Sequence, residues 1–358
     1  MIKTYKYRIK DRSARKLLQR HAYACNQIWN WCVAQHCSTL ERYQAGWPKR
    51  LWPSAFNLMA QCKGMGRELG IHQQTVGLVC SQWVRSRSIR FRSSYGMKRA
   101  RGWIPFQEQS RQIDESSITY LGHRYRFFGS KRRPLPKNTT GGIFTEDAMG
   151  RWFVCFYVET EQLLGAAYGE VGIDLGLKNF AALSTGEKIE TPKTYRRLEA
   201  RLAIAQRAKN VRRTKAIHAE IASSRRDFQH KLSTRLAREH ALIAVGNVNC
   251  RALIQTAMSK SVMDAGWYSF RNMLRYKATR FLEVDENFTT QTCSSCGALP
   301  PERPIGIAGL GIREWGCSSC GAIHDRDVNA AKNILNLGRS VTPLVEGSPS
   351  LGIGTTCG

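Results

Sequence analysis

The stretch Val171-Gly172-Ile173-Asp174-Leu175-Gly176-Leu177-Lys178-Asn179-Phe180-Ala181-Ala182-Leu183 decides how the chain is read. An apolar strand carries one carboxylate near its end. A glycine then permits a tight turn, and a second apolar run leads back. A charged group in a buried strand is costly unless it is paired or holds a metal, so Asp174 needs partners from elsewhere. Downstream come a further strand pair through Ile189 and a very basic helical pattern from about Lys193 to His240, with a break near Asn210. The continuous apolar strand Leu242-Ile243-Ala244-Val245 follows, then a helix at about 265–280 and the strand Phe281-Leu282-Glu283-Val284-Asp285-Glu286. This order predicts a mixed α/β sheet.

Upstream the periodicity changes. Residues 2–10 alternate basic and apolar side chains and read as a strand. Leu17, Leu18, His21, Cys25, Ile28, Trp29, Cys32 and Val33 fall at helical spacing within 14–45. Further helices are expected from Ser54 to about Gly66 and from Gln73 to Ser86. Between 103 and 160 the runs Trp103–Phe106, Ser117–Tyr120, Tyr125–Phe128 and Arg151–Val158 are β-like. With strand 2–10 they predict a barrel or sheet into which the helices of 14–100 are inserted. The segment from Arg85 to Arg101 interleaves Phe91 and Tyr95 with Arg85, Arg87, Arg90, Arg92, Lys98, Arg99 and Arg101. Basic and aromatic residues on a weakly structured segment suit RNA or single-stranded DNA, with a solvated loop as the alternative. Lys131, Arg132 and Arg133 add a basic edge to the β-rich part.

The 358 residues carry 55 Lys and Arg against 27 Asp and Glu, a net charge of +28. A polyanion is the expected partner, and the spread of basic residues over several elements favours nucleic acid over a membrane surface. A hydrophobic share of 42% supports a real core. No run of eighteen apolar residues exists and the first ten residues lack a leader's apolar core, so a cytoplasmic protein without a membrane partner is expected. Of twelve cysteines, Cys25, Cys32, Cys37, Cys62, Cys80, Cys155 and Cys250 are scattered and read as core thiols. Cys293-x-x-Cys296 and Cys317-x-x-Cys320, separated by twenty residues and each followed by a glycine, have the spacing of a four-cysteine zinc ribbon. Four thiolates close the coordination sphere, so this Zn²⁺ is structural, and His324 is not needed as a ligand.

Directly after the ribbon stands His324-Asp325-Arg326-Asp327-Val328-Asn329-Ala330-Ala331-Lys332-Asn333-Ile334-Leu335. Asp325 can cap this helix and Asp327 lies in its first turn. Ala330, Ala331, Ile334 and Leu337 form a face small enough to lie close on a sheet. Capping explains one Asp; two acids and an Asn suggest a site.

GIDLGLKNFAAL, basic helices, QTCSSCG, CSSCG and HDRDVNAAKNIL, in that order, resemble the TnpB (OrfB) family of insertion-sequence proteins, relatives of the compact type V CRISPR effectors. The resemblance spans about residues 103–338. It implies an α+β multidomain chain. A wedge-like N-terminal β-barrel would comprise 1–13 and 101–166, with a helical recognition region at 14–100 inserted in it. A RuvC-like (RNase H fold) nuclease domain would span 167–290 and 324–338, interrupted by the zinc ribbon at 291–323; residues 339–358, rich in Gly, Ser, Pro and Thr, are by composition expected to be a disordered tail unless RNA orders them. It further implies a prokaryotic, nucleoid-associated RNA-guided DNA endonuclease. The guide RNA would come from the transposon end or a CRISPR-like locus, and double-stranded DNA would be cut beside a short flanking motif by two Mg²⁺ ions. Asp174 matches the family's first catalytic aspartate and Asp327 its last.

One departure matters. The family's middle catalytic Glu commonly ends the strand that here reads Ile243-Ala244-Val245-Gly246. Either the nuclease is dead and the protein is an RNA-guided DNA binder or repressor, or the carboxylate has moved. Alternation along the next strand puts Val284 and Glu286 on one face and Glu283 and Asp285 on the other. Glu286 is therefore the expected third carboxylate, ahead of Glu283, and Gly246 would leave it room. Lys178, Asn179 and Asn329 are candidates for contacts around the metals or with substrate backbone, against turn geometry or capping. A zinc-ribbon nucleic-acid-binding protein with no guide remains a further alternative.

Overall fold

In the computed structural model the described residues are 2–11, 13–46, 52–95, 99–107, 111–114, 116–129, 135, 138–159, 168–247, 266–305 and 308–341. They form two compact units, Met1–Glu161 and Gln162–Gly358.

The first unit begins with β1 (Ile2–Arg8) and the long helix α1 (Ala14–Gln44). Leu18, Ala22, Cys25, Ile28, Trp29, Cys32, Val33 and His36 are buried along one stripe of α1, as the three- and four-residue spacing predicts. The helix expected from Ser54 to Gly66 is two: α2 (Ala55–Gln61), capped by the Ser54 hydroxyl, and α3 (Met65–Glu68). Gly64 between them adopts φ +92°, a left-handed conformation that stops a helix. Helix α4 (Gln73–Ser86) has the expected bounds. The strands are β2 (Trp103–Gln107), β3 (Arg111–Ile113), β4 (Ser117–Tyr120), β5 (His123–Arg126), β6 (Thr139–Glu146) and β7 (Trp152–Glu159). They make a four-stranded antiparallel sheet in the order β1-β7-β6-β2 and a three-stranded sheet β3-β4-β5. An Ile9–Phe127 bridge also links residues flanking β1 and β5. Tyr7, Phe106, Tyr120, Tyr125, Phe127, Phe144 and Phe156 are buried in one aromatic core.

Sequence reading missed β6 because Gly141 and Gly142 interrupt its pattern. The glycine is required: a Cβ at Gly142 would sit 2.2 Å from the Cys155 carbonyl oxygen and 2.6 Å from the Phe106 ring. Cys25, Cys32, Cys62, Cys80 and Cys155 are buried, as expected of core thiols, and Cys37 is half-buried; Cys250 lies outside the described residues.

The second unit is built on β8 (Gly169–Leu175), β9 (Asn179–Leu183), β10 (Lys188–Glu190), the helices α5 (Thr194–Arg207) and α6 (Val211–Glu239), and β11 (His240–Gly246). Then come α7 (Trp267–Lys277), β12 (Arg280–Val284), β13 (Glu314–Gly316), β14 (Ile323–Asp325) and α8 (Arg326–Ser340). The break near Asn210 is real: its side chain caps α6 by accepting from the Arg213 N–H at 2.9 Å. The sheet order is β10-β9-β8-β11-β12, with β8, β9 and β10 antiparallel and β8, β11 and β12 parallel.

Helix α8 lies on β8 and β11, and it does so through small residues. A Cβ at Gly172 would come within 2.0 Å of the Ala331 carbonyl oxygen, and one at Gly338 within 2.6 Å of the Ala244 Cβ. The buried face of α8 is Asn329, Ala330, Ala331, Asn333, Ile334, Leu335 and Gly338. Leu337, assigned to that face from the sequence, is 41% exposed. Its position three residues past Ile334 falls on the flank of the helix once Gly338 makes the close approach.

A candidate acidic site and a four-cysteine cluster

The parallel strands β8, β11 and β12 bring their carboxyl ends together. Ile173 pairs with Val245 and Gly246 with Val284, so Asp174 and Gly246 are the next positions along adjacent strands. Glu286 lies two residues past the end of β12. Its side chain lies over Gly246: a Cβ built there would meet the Glu286 Oε2 at 3.1 Å and its Cβ at 3.3 Å. Space that a side chain on β11 would fill is taken by a carboxylate arriving from beyond β12. Glu283, on the opposite face, is bound to Arg275 at 2.6 Å.

Asp327 joins from the first turn of α8. It is held by Arg326 at 3.2 Å and by Arg313 at 3.4 Å. Asp325 takes the other role that the sequence offered. It caps α8 by accepting from the Val328 N–H at 3.0 Å, and it pairs with Lys188. The carboxyl of Asp174 is pushed up to about 7, first by desolvation, then by the negative charges of Asp327 and Glu286, with Arg326 opposing. Glu286 is raised as well, first by its partial burial and then by Asp285, against Arg271. Asp327 and Glu286 thus disfavour the ionised form of Asp174, a repulsion that a cation bound among them would relieve. The carboxylate oxygens are hard donors of the kind Mg²⁺ takes.

Asn329 is not at a substrate-facing position. It is 1% exposed, and its carboxamide binds the Ser294 N–H at 2.8 Å and the Thr289 and Thr292 carbonyls at 3.2 and 2.7 Å. Lys178 is exposed in the turn before β9, and Asn179, half-buried, begins that strand. Of the nucleic-acid candidates in the first unit, Arg85, Arg87, Arg90 and Arg101 are exposed. Arg92 is an internal anchor. Its guanidinium lies over the rings of Trp29 and Trp103 and donates to Asn26 Oδ1 at 2.8 Å and to the Arg101 carbonyl at 3.0 Å. Arg99 is paired with the buried Glu146 at 2.7 Å. Lys98, Lys131, Arg132 and Arg133 lie outside the described residues.

The four cysteines converge. Cys293 and Cys320 have sulfurs 3.7 Å apart, as do Cys296 and Cys317, and all four lie within 4.8 Å of one another. A tetrahedral zinc site with Zn–S bonds of about 2.3 Å needs sulfurs roughly 3.8 Å apart, so this cluster can bind zinc. Each knuckle is made the same way. The Cys293 N–H donates to the Ala298 carbonyl and that of Cys317 to Ala322, while Gly297 and Gly321 take φ +77° and +73°. His324 Nε2 is 3.0 Å from the Cys293 sulfur, a contact the sequence reading had not assigned. Arg313 and Asn333 were also missed, since neither stands at a diagnostic spacing.

Residues 154–257 match the family OrfB_IS605, described as "Probable transposase", and residues 267–334 match "Cas12f1-like, TNB domain". A "Putative RNA-guided DNA endonuclease" of Streptomyces pristinaespiralis is 39% identical over 236 residues, covering 60% of this chain and 57% of that protein. The "Putative RNA-guided DNA endonuclease InsQ" of Escherichia coli K12 is 27% identical over 233 residues, covering 56% and 57%. The chain thus spans little more than half the length of these relatives. A solved Cas12f1–sgRNA–target DNA complex aligns over 94% of this chain and 99% of its own at 13% identity, with a TM-score of 0.37, a level that carries no detail of placement.

Carboxylates at and beyond the carboxyl ends of the parallel strands, a four-cysteine cluster and the match of residues 154–257 to a transposase family make the second unit similar to insertion-sequence proteins of the OrfB type. It is to the TnpB (OrfB) family that the chain is related, with a Cas12f1-like TNB segment in its second unit. Among the described residues no helix is long and apolar enough to cross a membrane.

Proposed function

We propose that this chain is an RNA-guided DNA endonuclease that cuts double-stranded DNA beside a short flanking motif, with Asp174, Glu286 and Asp327 as its catalytic carboxylates. The observation that carries this reading is the Glu286 side chain lying over Gly246, together with its charge being felt at Asp174. A site in decay has no reason to send a replacement carboxylate into the gap. The strand order, three antiparallel strands followed by two parallel ones, supports an RNase H-like, RuvC-type nuclease domain. The two antiparallel sheets of the first unit support the wedge-like barrel with its helical insertion. The sulfur spacing supports a zinc ribbon at 291–323.

Asp174 and Glu286 approach from the sheet and Asp327 from α8, so three elements must be folded before the site exists. Bound there, a pair of Mg²⁺ ions would supply Lewis-acid activation of a water and stabilise the leaving 3′ oxygen. Arg313 and Arg326 offset the negative charge at Asp327. The tip of the α5–α6 hairpin carries Arg207, Lys209, Arg212, Arg213 and Lys215, with no acidic residue from 207 to 215. All five are exposed, and this arm supports a role in gripping phosphates of guide RNA or target DNA. Sequence would be read by guide pairing, the protein sensing duplex shape and the flanking motif.

The test is plasmid cleavage by the chain with its co-expressed guide RNA and Mg²⁺. Wild type should cut, Glu283→Ala should cut at a similar rate, and Asp174→Ala and Glu286→Ala should not. Target binding without cutting by the wild type would make the protein a guided binder. Normal cutting by Glu286→Ala would remove Glu286 from the site.

A further inference from the structure

Glu286 stands beyond the last residue of β12, so the sheet ladder does not hold it. Among the described residues its own bonds are few. The Glu286 N–H reaches Asn247 Oδ1 at 3.4 Å, and its carbonyl accepts from the Thr289 hydroxyl at 2.7 Å and the Thr289 N–H at 3.2 Å. The chain then makes a tight turn in which Phe288 takes φ +63° and its carbonyl accepts from the N–H groups of Gln291 and Thr292. Cys293 follows Thr292 directly, so the first knuckle begins where this turn ends.

Two buried carboxamides from α8 close on this turn. Asn329 and Asn333 are four residues apart and therefore share a helix face. The Asn333 Nδ2 donates to the Thr289 and Thr292 carbonyls at 2.8 and 2.7 Å, the same two carbonyls that Asn329 serves. The Asn329 Oδ1 accepts from the Ser294 N–H. Asn333 is 8% exposed, so its bonds are not exchanged with water at no cost. One helix thus presents Asp327 and, within two turns, grips the segment whose ends are Glu286 and the first zinc cysteine.

We propose that Asn329 and Asn333 are positioning residues for Glu286, and that through this clamp the four-cysteine ribbon sets the geometry of the acidic site. The proposal rests on the assignment of Glu286 as a catalytic carboxylate. A capping or purely packing role would tie the helix to the turn but would leave the response of cleavage to Mg²⁺ unchanged.

The experiment uses the full chain with its guide RNA and compares wild type, Asn333→Asp and Asn333→Ser. Aspartate keeps the shape but turns both donors into an acceptor facing two carbonyls; serine removes the donors with less repulsion. Zinc content, guided target binding without Mg²⁺, the Mg²⁺ midpoint of cleavage and hydrogen exchange of the peptide covering 286–294 are read together. The expected result is a Mg²⁺ midpoint raised about tenfold, the scale on which groups supporting a metal ligand act. Exchange across 286–294 should be faster, and target binding should stay within about twofold, since phosphate contacts elsewhere carry it. An unchanged midpoint in both variants overturns the proposal, whether or not zinc is retained. A raised midpoint accompanied by zinc loss upholds it, because the ribbon and the acidic site have then failed together. Glu286→Ala is run alongside: if it cuts normally the catalytic assignment fails, and if it is inactive while both Asn333 variants keep the wild-type midpoint, only the clamp fails.

Discussion

Replacing Gly246 by Ala probes the acidic site with one carbon atom. Gly246 does not have a left-handed φ, so the backbone accepts a side chain, and only space is at issue. The new Cβ would lie 3.1 Å from the Glu286 Oε2, 3.3 Å from the Glu286 Cβ and 3.3 Å from the Ile334 Cδ1. Each neighbour must yield by a few tenths of an ångström. Removing a strand glycine contributes about 0.5–1 kcal/mol of stability, and overpacking costs about 1–3 kcal/mol, so the net loss is about 0–2.5 kcal/mol. That is small enough for the protein to fold. The functional effect is larger, because two of the three contacts are with Glu286 itself, the shortest with its carboxylate, and a shift of a few tenths of an ångström takes up most of the roughly 0.5 Å within which a metal ligand must be held. Cleavage should need at least about tenfold more Mg²⁺, the scale of a disturbed metal ligand, while the urea midpoint moves little. Titrating Mg²⁺ in a plasmid-cleavage assay, with urea unfolding in parallel, reads both quantities. A Gly246→Ala chain that cuts with the wild-type Mg²⁺ midpoint would refute the reasoning, since Glu286 would then not be using the space over Gly246.

Two further outcomes follow from the same geometry. Asp174 has a carboxyl raised from 3.8 to about 7 in the folded chain, so without divalent ions the folded state binds more protons than the unfolded one between those values. Stability therefore falls as pH rises through that window and levels off above it; Asp174→Asn should flatten that slope, leaving the smaller contribution of Glu286, as thermal melts across the same window in chelator would record. Cys317→Ser should abolish zinc binding by the proposed ribbon and expose residues 291–323 to protease, since the buried hydrophobic cluster among its described residues is just Cys293, Trp315 and Cys317; full protection without zinc would show that the metal is not its main support.

How much of this was legible depends on whether the cause was local. The α1 stripe, the helical spans of α4, α5 and α6, the break near Asn210 and the paired knuckles each arise from residues close in sequence, and each stands where the pattern puts it. The β6 strand was hidden because its glycines answer to Cys155 and Phe106, outside the strand itself. Arg92 reads as a nucleic-acid contact among its basic neighbours, yet Trp103 and the distant Asn26 and Trp29 of α1 turn it inward. Asn333 looks like one more polar residue on an amphipathic helix until the carbonyls of Thr289 and Thr292 are seen beside it. At the acidic site, the sequence favoured Glu286 over Glu283 by extending strand alternation to 286, whereas β12 ends at Val284 and the turn beyond it carries Glu286. Nothing in the sequence could say that Arg275 occupies Glu283 or that Arg313 reaches Asp327.

The relation between Gly246 and Glu286 is one of exchange, and that can be tested in reverse. A side chain at 246 projects at the Glu286 carboxylate, so a Glu placed there would carry its own carboxylate into the same region from the neighbouring strand. With Glu286 present this adds a second negative charge at close range, which raises the cost of ionising either group, and Gly246→Glu alone should lower cleavage. With Glu286→Ala the carboxylate is gone and only a Cβ remains near the new side chain. The double variant Gly246→Glu/Glu286→Ala should then cut at least about tenfold faster than Glu286→Ala alone, a recovery of about 1.4 kcal/mol in the barrier. Ordinary mutational damage does not behave this way: two destabilising changes in contact would leave the double variant no better than the worse single one. If it is no better, the two positions do not serve one ligand site, and the glycine on β11 is a loss without a replacement.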